Sequence, residues 1–354
     1  MTRKTLIVVH GMGQHTPGSV GAEVRGAFEE AIALYPSLEN KPVDALVDIE
    51  PVGYGDLFES YREQLDAQDG SLTERITRID GPDIRIESFA AELDGIERRL
   101  GRDEFFNTHW LDVILYRYTL LSELVRLRIA EALGRAIAEK GAANVHVLGH
   151  SLGTAVLHDA LQKSFGPENL VDEHGTNHNL DLHAHRLGGV HMVANVSRTL
   201  QTFVKVGSSV VRPGERGCTA VFSEYRHRLD PITLIRPFLP TDNGVWTTHE
   251  IFRSAYRLVE LTPVIATNVH SLSHYLANPE VHRPLFRLLF GHRPPVAEQN
   301  EATASYLGRT VGGKARALQQ SFGDLRADPR ATVSELLVAA RDLKNLAVRF
   351  GEAF

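Results

Sequence analysis

Asn144-Val-His-Val-Leu-Gly-His-Ser-Leu-Gly-Thr-Ala-Val-Leu-His158 is the stretch that decides the fold. Val145 to Leu148 is a short apolar run of β type. It ends at Gly149-His150-Ser151-Leu152-Gly153, and a helix-forming run, Thr154 to Leu161, begins at once. The pattern predicts strand, sharp turn and helix, with a serine at the apex. Such a turn needs small residues two before and two after the serine, because its backbone is strained and neighbouring chain packs close. Gly149 and Gly153 stand at those places. The turn exposes the Ser151 hydroxyl at the carboxyl edge of a sheet and aims the helix's free amides, that of Leu152 first, at developing negative charge. Gly-x-Ser-x-Gly alone arises readily by chance. Flanked by this strand and this helix, it points to a nucleophile rather than to a serine in an ordinary βα turn.

Upstream, Leu6 to Val9 is continuously apolar, as expected of a strand buried on both faces of a parallel sheet, and it breaks at the turn His10-Gly11-Met12-Gly13-Gln14. Residues 20–35 carry a helical pattern closed by Pro36. Strands are expected at residues 43–52 and 112–116. Between them, residues 53–109 are polar and charged with Gly/Asp breaks, and read as an insertion with one or two short helices. Residues 119–139 give a helix with a broad apolar face. Further strands are expected at residues 189–196 and 218–225, the second leading to Leu229-Asp230-Pro231. A mixed region, 241–269, precedes His270-Ser-Leu-Ser-His274-Tyr-Leu. This alternation predicts the α/β class, a mostly parallel sheet with helices on both faces. No internal repeat is present. One domain is expected over residues 1–292. Past Arg293, residues 295–331 are sparse in large apolar side chains, and residues 332–350 form an apolar-striped helix. Residues 293–354 thus read as a linker and a helical C-terminal extension. The stripe is expected to dock on the body of the protein, a homo-oligomeric seam being the alternative.

Composition bounds the function. A chain of 354 residues, 43% hydrophobic and 23% charged, is that of a soluble globular protein, and a net charge of −6 without any run of Lys/Arg argues against nucleic acid as a partner. A single cysteine, Cys218, excludes an internal disulfide and fits a reducing compartment. It lies outside any elbow context, so a structural thiol is expected. The apolar run after the basic N-terminus is too short for a signal peptide, and no run approaches membrane-spanning length. A cytoplasmic protein with no integral membrane contact is the expectation.

A serine hydroxyl is a poor nucleophile at neutral pH, so acyl transfer requires a base beside it and a carboxylate to orient that base. With this elbow, the partners follow in the chain order Ser, Asp/Glu, His, each after a later strand. Asp230, in Arg-Leu-Asp-Pro-Ile, lies at the mouth of a strand where proline forces a turn. That suits a fixed carboxylate that receives an imidazole N–H, an Asp-Pro turn or a helix cap being the alternative role. Downstream histidines on loops are His249, His270, His274 and His282. His270 is preferred because it stands where the apolar Thr-Pro-Val-Ile-Ala-Thr-Asn-Val run ends and Ser271 opens the next element. His274, in the same segment, is the alternative base. The first glycine turn would set the Met12 amide beside that of Leu152, and two such donors form an oxyanion hole. A Gly-x-Gly turn also suits a phosphate loop, but neither G-x-G-x-x-G nor G-x-x-x-x-G-K-[ST] occurs.

Val8-Val9-His10-Gly11-Met12-Gly13, Asp112-Val-Ile-Leu-Tyr116, Gly149-His-Ser-Leu-Gly153, Leu229-Asp230-Pro231-Ile232 and His270-Ser-Leu-Ser-His-Tyr-Leu276 together resemble the α/β-hydrolase superfamily. The chain is most similar to lipase- and esterase-like serine hydrolases with a Gly-His-Ser-Leu-Gly elbow. Some of these place the acid in an Asp-Pro-(Val/Ile) turn and the histidine in a His-Ser-x-x-x-Tyr-(Trp/Leu) segment, which favours His270. The resemblance spans roughly residues 5–290. It departs from the family in two places: the fold's first two strands are expected to be missing, and the tail after Arg293 has no counterpart. It implies a carboxylic ester hydrolase with Ser151 as nucleophile, Asp230 and His270 as its partners, and no cofactor or metal. An acyltransferase or thioesterase would use the same triad, and a non-catalytic binding protein could use the same fold.

In this architecture, connections that leave a strand overhang the site and connections that leave a helix do not. Residues 53–109, 197–217 and 241–268 are therefore the pocket-wall candidates. The apolar Leu57, Phe58, Ile84, Ile86, Phe89, Phe105, Phe106 and Trp110 suit either a lid over a lipid-like ester or plain packing of the insertion onto the core. Residues 163–186 leave the elbow helix, so their His174, His178, His183 and His185, with Asp172, Glu173 and Asp181, are expected far from Ser151. Their spacing matches no closed zinc pattern, and a solvated polar loop is expected.

Overall fold

The computed structural model describes residues 2–11, 17–70, 120–198, 208–230, 237–240, 246–265 and 268–309, together with Glu74, Arg75, Arg78, Tyr116 and Thr233. Its centre is an open sheet of six strands, all parallel. The strands are β1 (Lys4–Val9), β2 (Val47–Val52), β3 (Val145–His150), β4 (Gly189–Val193), β5 (Phe222–His227) and β6 (Tyr256–Leu261). They lie in the order β2-β1-β3-β4-β5-β6. Val9 is level with Val52 on one side and Gly149 on the other, so β1 and β3 end together.

Helices cover both faces, because β1, β3 and β4 are buried along nearly their whole length and offer apolar side chains in both directions. On one face Ile7, Val9, Val147 and Val190 pack against helices α3 (Gly55–Asp66), α4 (Leu121–Lys140) and α5 (Leu152–Phe165). On the other, Leu6, Val8 and Leu148 meet helices α1 (Pro17–Ile32), α7 (Leu272–Leu276) and α8 (Pro279–Leu289). Two short helices, α2 (Val43–Leu46) and α6 (His249–Ser254), lead into β2 and β6. The chain leaves β1 to one side for β2 and returns on the other as β3. The strand order therefore reverses between β1 and β3, and at such a point the strands' carboxyl ends open a crevice.

Several elements differ from the sequence expectation. Residues 43–52 are not all strand: Pro42 caps a single helical turn, and β2 begins at Val47. The strand expected at 218–225 runs from Phe222 to His227, because Cys218 and Thr219 are engaged with the Val210–Pro213 segment and Leu187. The strand expected at 189–196 ends at Val193, where Ala194 takes a positive φ of 51°. Strand β6 falls in a stretch read as mixed. It is an edge strand whose Arg257 and Glu260 interrupt the apolar run, and such an edge is only half buried. Of residues 112–116 only Tyr116 is described, and it is helical. The elbow helix is longer than its apolar run, covering 152–165. The first helix of the 53–109 insertion, α3, buries Phe58, Tyr61 and Leu65 in the core, so this part is packing rather than cover. Phe89, Phe105, Phe106, Trp110 and Ile84 and Ile86 lie outside the described residues, as does the helix expected at 332–350 with its docking or self-association stripe.

Within the sparse 295–331 stretch, α9 (Val296–Gly308) docks on the body through buried Ala302 and Tyr306. Tyr306 Oη donates to the Pro263 carbonyl (3.3 Å) and accepts from Asn278 Nδ2 (3.1 Å). Among the described residues no helix is long and apolar enough to cross a membrane.

Candidate active site

Ser151 stands between β3 and α5 with φ 56° and ψ −132°, a left-handed conformation that costs a non-glycine residue of the order of 1–3 kcal/mol. Neighbouring chain enforces it. The Ser151 amide donates to the Val193 carbonyl at the end of β4 (3.1 Å). Thr154 Oγ1 donates to the Ser151 carbonyl (2.6 Å) and accepts from the Val196 amide (3.0 Å). The two elbow glycines serve close approach. A methyl group on Gly153 would run into the carbonyls of Val9 and His10, and one on Gly149 would lie 2.9 Å from Thr154 Cα. Gly11 approaches equally closely, since a methyl there would sit 2.9 Å from Ser151 Cβ and 3.1 Å from the Leu152 nitrogen. The turn after β1 thus lies directly against the elbow, at the crevice where the strand order reverses.

Asp230 follows β5 with its side chain fully buried, and His270 precedes α7. His270 Nε2 is 2.8 Å from Ser151 Oγ, and His270 Nδ1 is 2.8 Å from Asp230 Oδ2. A carboxylate only accepts, so Nδ1 carries the hydrogen, and Nε2 is left as the acceptor for the Ser151 hydroxyl. The structure therefore brings Ser151, Asp230 and His270, each expected from the sequence, into one hydrogen-bonded row. The serine is half-buried and the imidazole mostly buried, so the row opens to solvent at the serine end.

His274 is not in the row. It lies one helical turn along α7, its Nε2 accepts from the Ile265 amide (3.3 Å), and its ring packs edge-on against His227 at 5.3 Å. Burial, with the neighbouring His227, lowers its pKa to about 4. Ser271 explains the separation. Its hydroxyl accepts from the His274 amide and caps α7, so His270 stays outside the helix and His274 inside it. His282 is held by the Tyr35 hydroxyl and the Leu276 carbonyl, and His249 starts α6 on the surface.

Of the two expected oxyanion donors, Leu152 opens α5, where first-turn amides lack helical partners and the helix dipole is positive. Met12 lies outside the described residues.

Four residues of the site went unnoticed in the sequence. Tyr275 Oη donates to Asp230 Oδ2 (2.8 Å) and accepts from the His227 amide (2.9 Å). His150 contacts the His270 carbonyl through Nε2 (2.7 Å) and His10 Nε2 through Nδ1 (3.2 Å). The Tyr54 hydroxyl donates to the His10 carbonyl (2.7 Å). His10, His150 and Tyr275 lie in segments that carry the elbow, the glycine turn or His270, but nothing in their local pattern separates a brace from a core residue.

The His-rich loop folds on itself. Asp172 accepts from the amides of His174 and Thr176 and from His178 Nε2, which holds its carboxyl well below the usual range. Asp181 likewise caps His183 and Ala184. The loop leaves the far end of α5, a helix about 20 Å long, so Ser151 is remote from it. Among the described residues no three His, Cys, Asp or Glu side chains are grouped to hold a metal ion. The described 208–217 part of the 197–217 connection does not overhang the serine. Ser209 and Val210 donate to Gln162 Oε1 in the last turn of α5. Cys218 is fully buried, and burial pushes its thiol up to about 12, which leaves it un-ionised and inert. The chain matches no protein-family model and no curated protein.

Proposed function

We propose that the chain is a serine hydrolase of the α/β-hydrolase fold, of the esterase or lipase type, that cleaves a carboxylic ester through an acyl-enzyme. One observation carries the reading: a single imidazole lies 2.8 Å from both a serine hydroxyl at a strained strand–helix turn and a fully buried carboxylate. The three groups come from the ends of β3, β5 and the connection after β6, all on the carboxyl edge of one parallel sheet.

Ser151 Oγ attacks the ester carbonyl while its proton passes to His270 Nε2. The Asp230 carboxylate, bonded to Nδ1–H, stabilises the imidazolium that forms. The amide of Leu152, with that of Met12 as the second donor, receives the oxyanion. His270 then protonates the leaving alkoxide. Water, activated by the same nitrogen, resolves the acyl-enzyme. The strained serine conformation holds Oγ out of the helix, where it meets both the base and the substrate. Residues held in the carboxyl-edge connections line the acyl pocket in this reading.

The test is covalent labelling with a fluorophosphonate, followed by mass spectrometry of the intact chain. One adduct on Ser151 is expected, absent from folded Ser151→Ala protein, together with turnover of short p-nitrophenyl esters. Equal labelling of the two proteins would overturn the reading.

A further inference from the structure

His150 stands between two other histidines, immediately before the serine. Its Nε2 lies 2.7 Å from the His270 carbonyl, its Nδ1 lies 3.2 Å from His10 Nε2, and His10 Nδ1 lies 3.2 Å from the Gly11 carbonyl. Both ends of this row are carbonyl oxygens, which only accept. Three contacts closed by acceptors need three protons, and two neutral imidazoles bring two. Filling all three contacts as hydrogen bonds therefore takes one extra proton, whichever ring holds it. Glu23 of α1 supplies the opposite charge, with Oε2 3.7 Å from His10 Nε2. Among the described residues, the other titratable groups facing the pair are the His270 and Tyr275 rings, with centroids 5.1 and 6.4 Å from that of His150, and Tyr54, bonded to the His10 carbonyl. Both imidazoles are at least nine-tenths buried.

We propose that His10 and His150 are positioning residues: an imidazole–imidazolium pair that clamps the His270 main chain and so holds its ring over Ser151. The inference rests on the serine-hydrolase reading for its kinetic consequence, and on the geometry alone for the shared proton. His270 sits in a turn between the end of β6 and α7, where its amide is held by the Asn268 side chain (3.2 Å). The contact from His150 ties its carbonyl to β3, the strand that ends in the nucleophile. One strand end thus sets both partners of the proton transfer, and a displacement of about 1 Å between them is worth up to about a hundredfold in rate.

The experiment compares His150→Leu with His150→Gln. The glutamine amide reaches the place of Nε2 and still donates to the His270 carbonyl; leucine fills the space and cannot. Fluorophosphonate labelling then separates the inactivation rate constant from the binding constant. His150→Leu is expected to slow inactivation about tenfold or more with binding within about twofold, and His150→Gln to recover most of the loss. His10→Leu gives a loss in the same constant without touching the His270 contact, which covers the case of a His150→Leu protein that does not fold. In Ser151→Ala protein, histidine nitrogen NMR at neutral pH should show His10 and His150 sharing three protons. Unchanged inactivation in both leucine variants, or a glutamine variant as slow as leucine, overturns the positioning role. Two neutral rings in the NMR spectrum overturn the shared proton. Wild-type protein with no Ser151-dependent adduct instead removes the hydrolase reading, a result the NMR outcome does not depend on.

Discussion

Tyr275 donates its hydroxyl to Asp230 through Oη and Oδ2, 2.8 Å apart, on the same carboxylate oxygen that receives the His270 ring. The phenol also accepts from the His227 amide and is completely buried. Tyr275→Phe therefore leaves one buried amide without its acceptor and one carboxylate less firmly fixed. The variant should lose about 1–3 kcal/mol of stability, read from urea unfolding, and label more slowly, by roughly tenfold. A variant as stable and as reactive as the parent would show that the phenol only fills space.

The two histidines of the base segment should separate cleanly. His270→Ala removes the proton acceptor and should lower Ser151-dependent labelling by at least about a thousandfold. His274→Gln keeps an acceptor near the Ile265 amide, away from the row, and should stay within a few-fold. The reverse ranking in a labelling time course would reassign the base.

Glycine substitutions give an ordered series. At Gly153 a methyl collides with two backbone carbonyls, at Gly149 it presses on Thr154 Cα, and at Gly134, inside α4, it meets nothing within 4 Å. Gly153→Ala should destabilise most, by several kcal/mol, and Gly149→Ala less, by about 1–3 kcal/mol. Gly134→Ala should stabilise by about 0.5–1 kcal/mol. Urea midpoints in any other order would mean that the elbow is looser than its contacts imply.

Stability should depend on pH in two opposed ways. Burial lowers His158 and His274 to about 4 and His282 to about 3, and pushes the stacked pair His146 and His191 well down too. The unfolded chain takes up these protons near pH 6.5 while the native state does not. Stability should therefore fall below pH 6.5, by about 1.4 kcal/mol per pH unit for each such imidazole. Glu224 acts oppositely. Burial raises its carboxyl to about 8, against the lowering effect of its bond from Tyr256. The native state thus holds a proton that the unfolded chain releases near pH 4.5, and that contribution fades as pH rises through 8. Urea midpoints should peak near pH 6.5 and decline on both sides, and Glu224→Gln should flatten the alkaline decline. Midpoints that stay level from pH 6.5 down to 4 would contradict the buried, neutral state of these rings.

The parts legible in the sequence are those governed by local sterics and simple burial. The elbow was readable because a serine at positive φ needs glycines at fixed offsets. Likewise β1 and β3 were readable because strands buried on both faces are largely apolar, Leu6 to Val9 without a break and Val145 to Leu148 broken only by His146. Strand β6 was not, because Arg257 and Glu260 at a half-open edge erase the pattern, and its pairing partner β5 lies some thirty residues away. The choice between His270 and His274 turned on the Ser271 cap, a local signal. The roles of His10, His150 and Tyr275 depend on contacts across the sheet and between distant turns, which no spacing rule encodes.

The docking of α9 has a consequence for the order in which the protein is made. Tyr306 holds the Pro263 carbonyl and Asn278, on either side of the turn that carries His270. Synthesis delivers β1 to β4 first, and with them the Val193 carbonyl that holds Ser151 in its strained turn. The imidazole partner comes more than seventy residues later, and the helix that closes behind its turn comes later still. On the ribosome, the growing chain thus carries the elbow before His270 is there to meet Ser151, and α9, which braces the His270 turn, is the last described helix to emerge.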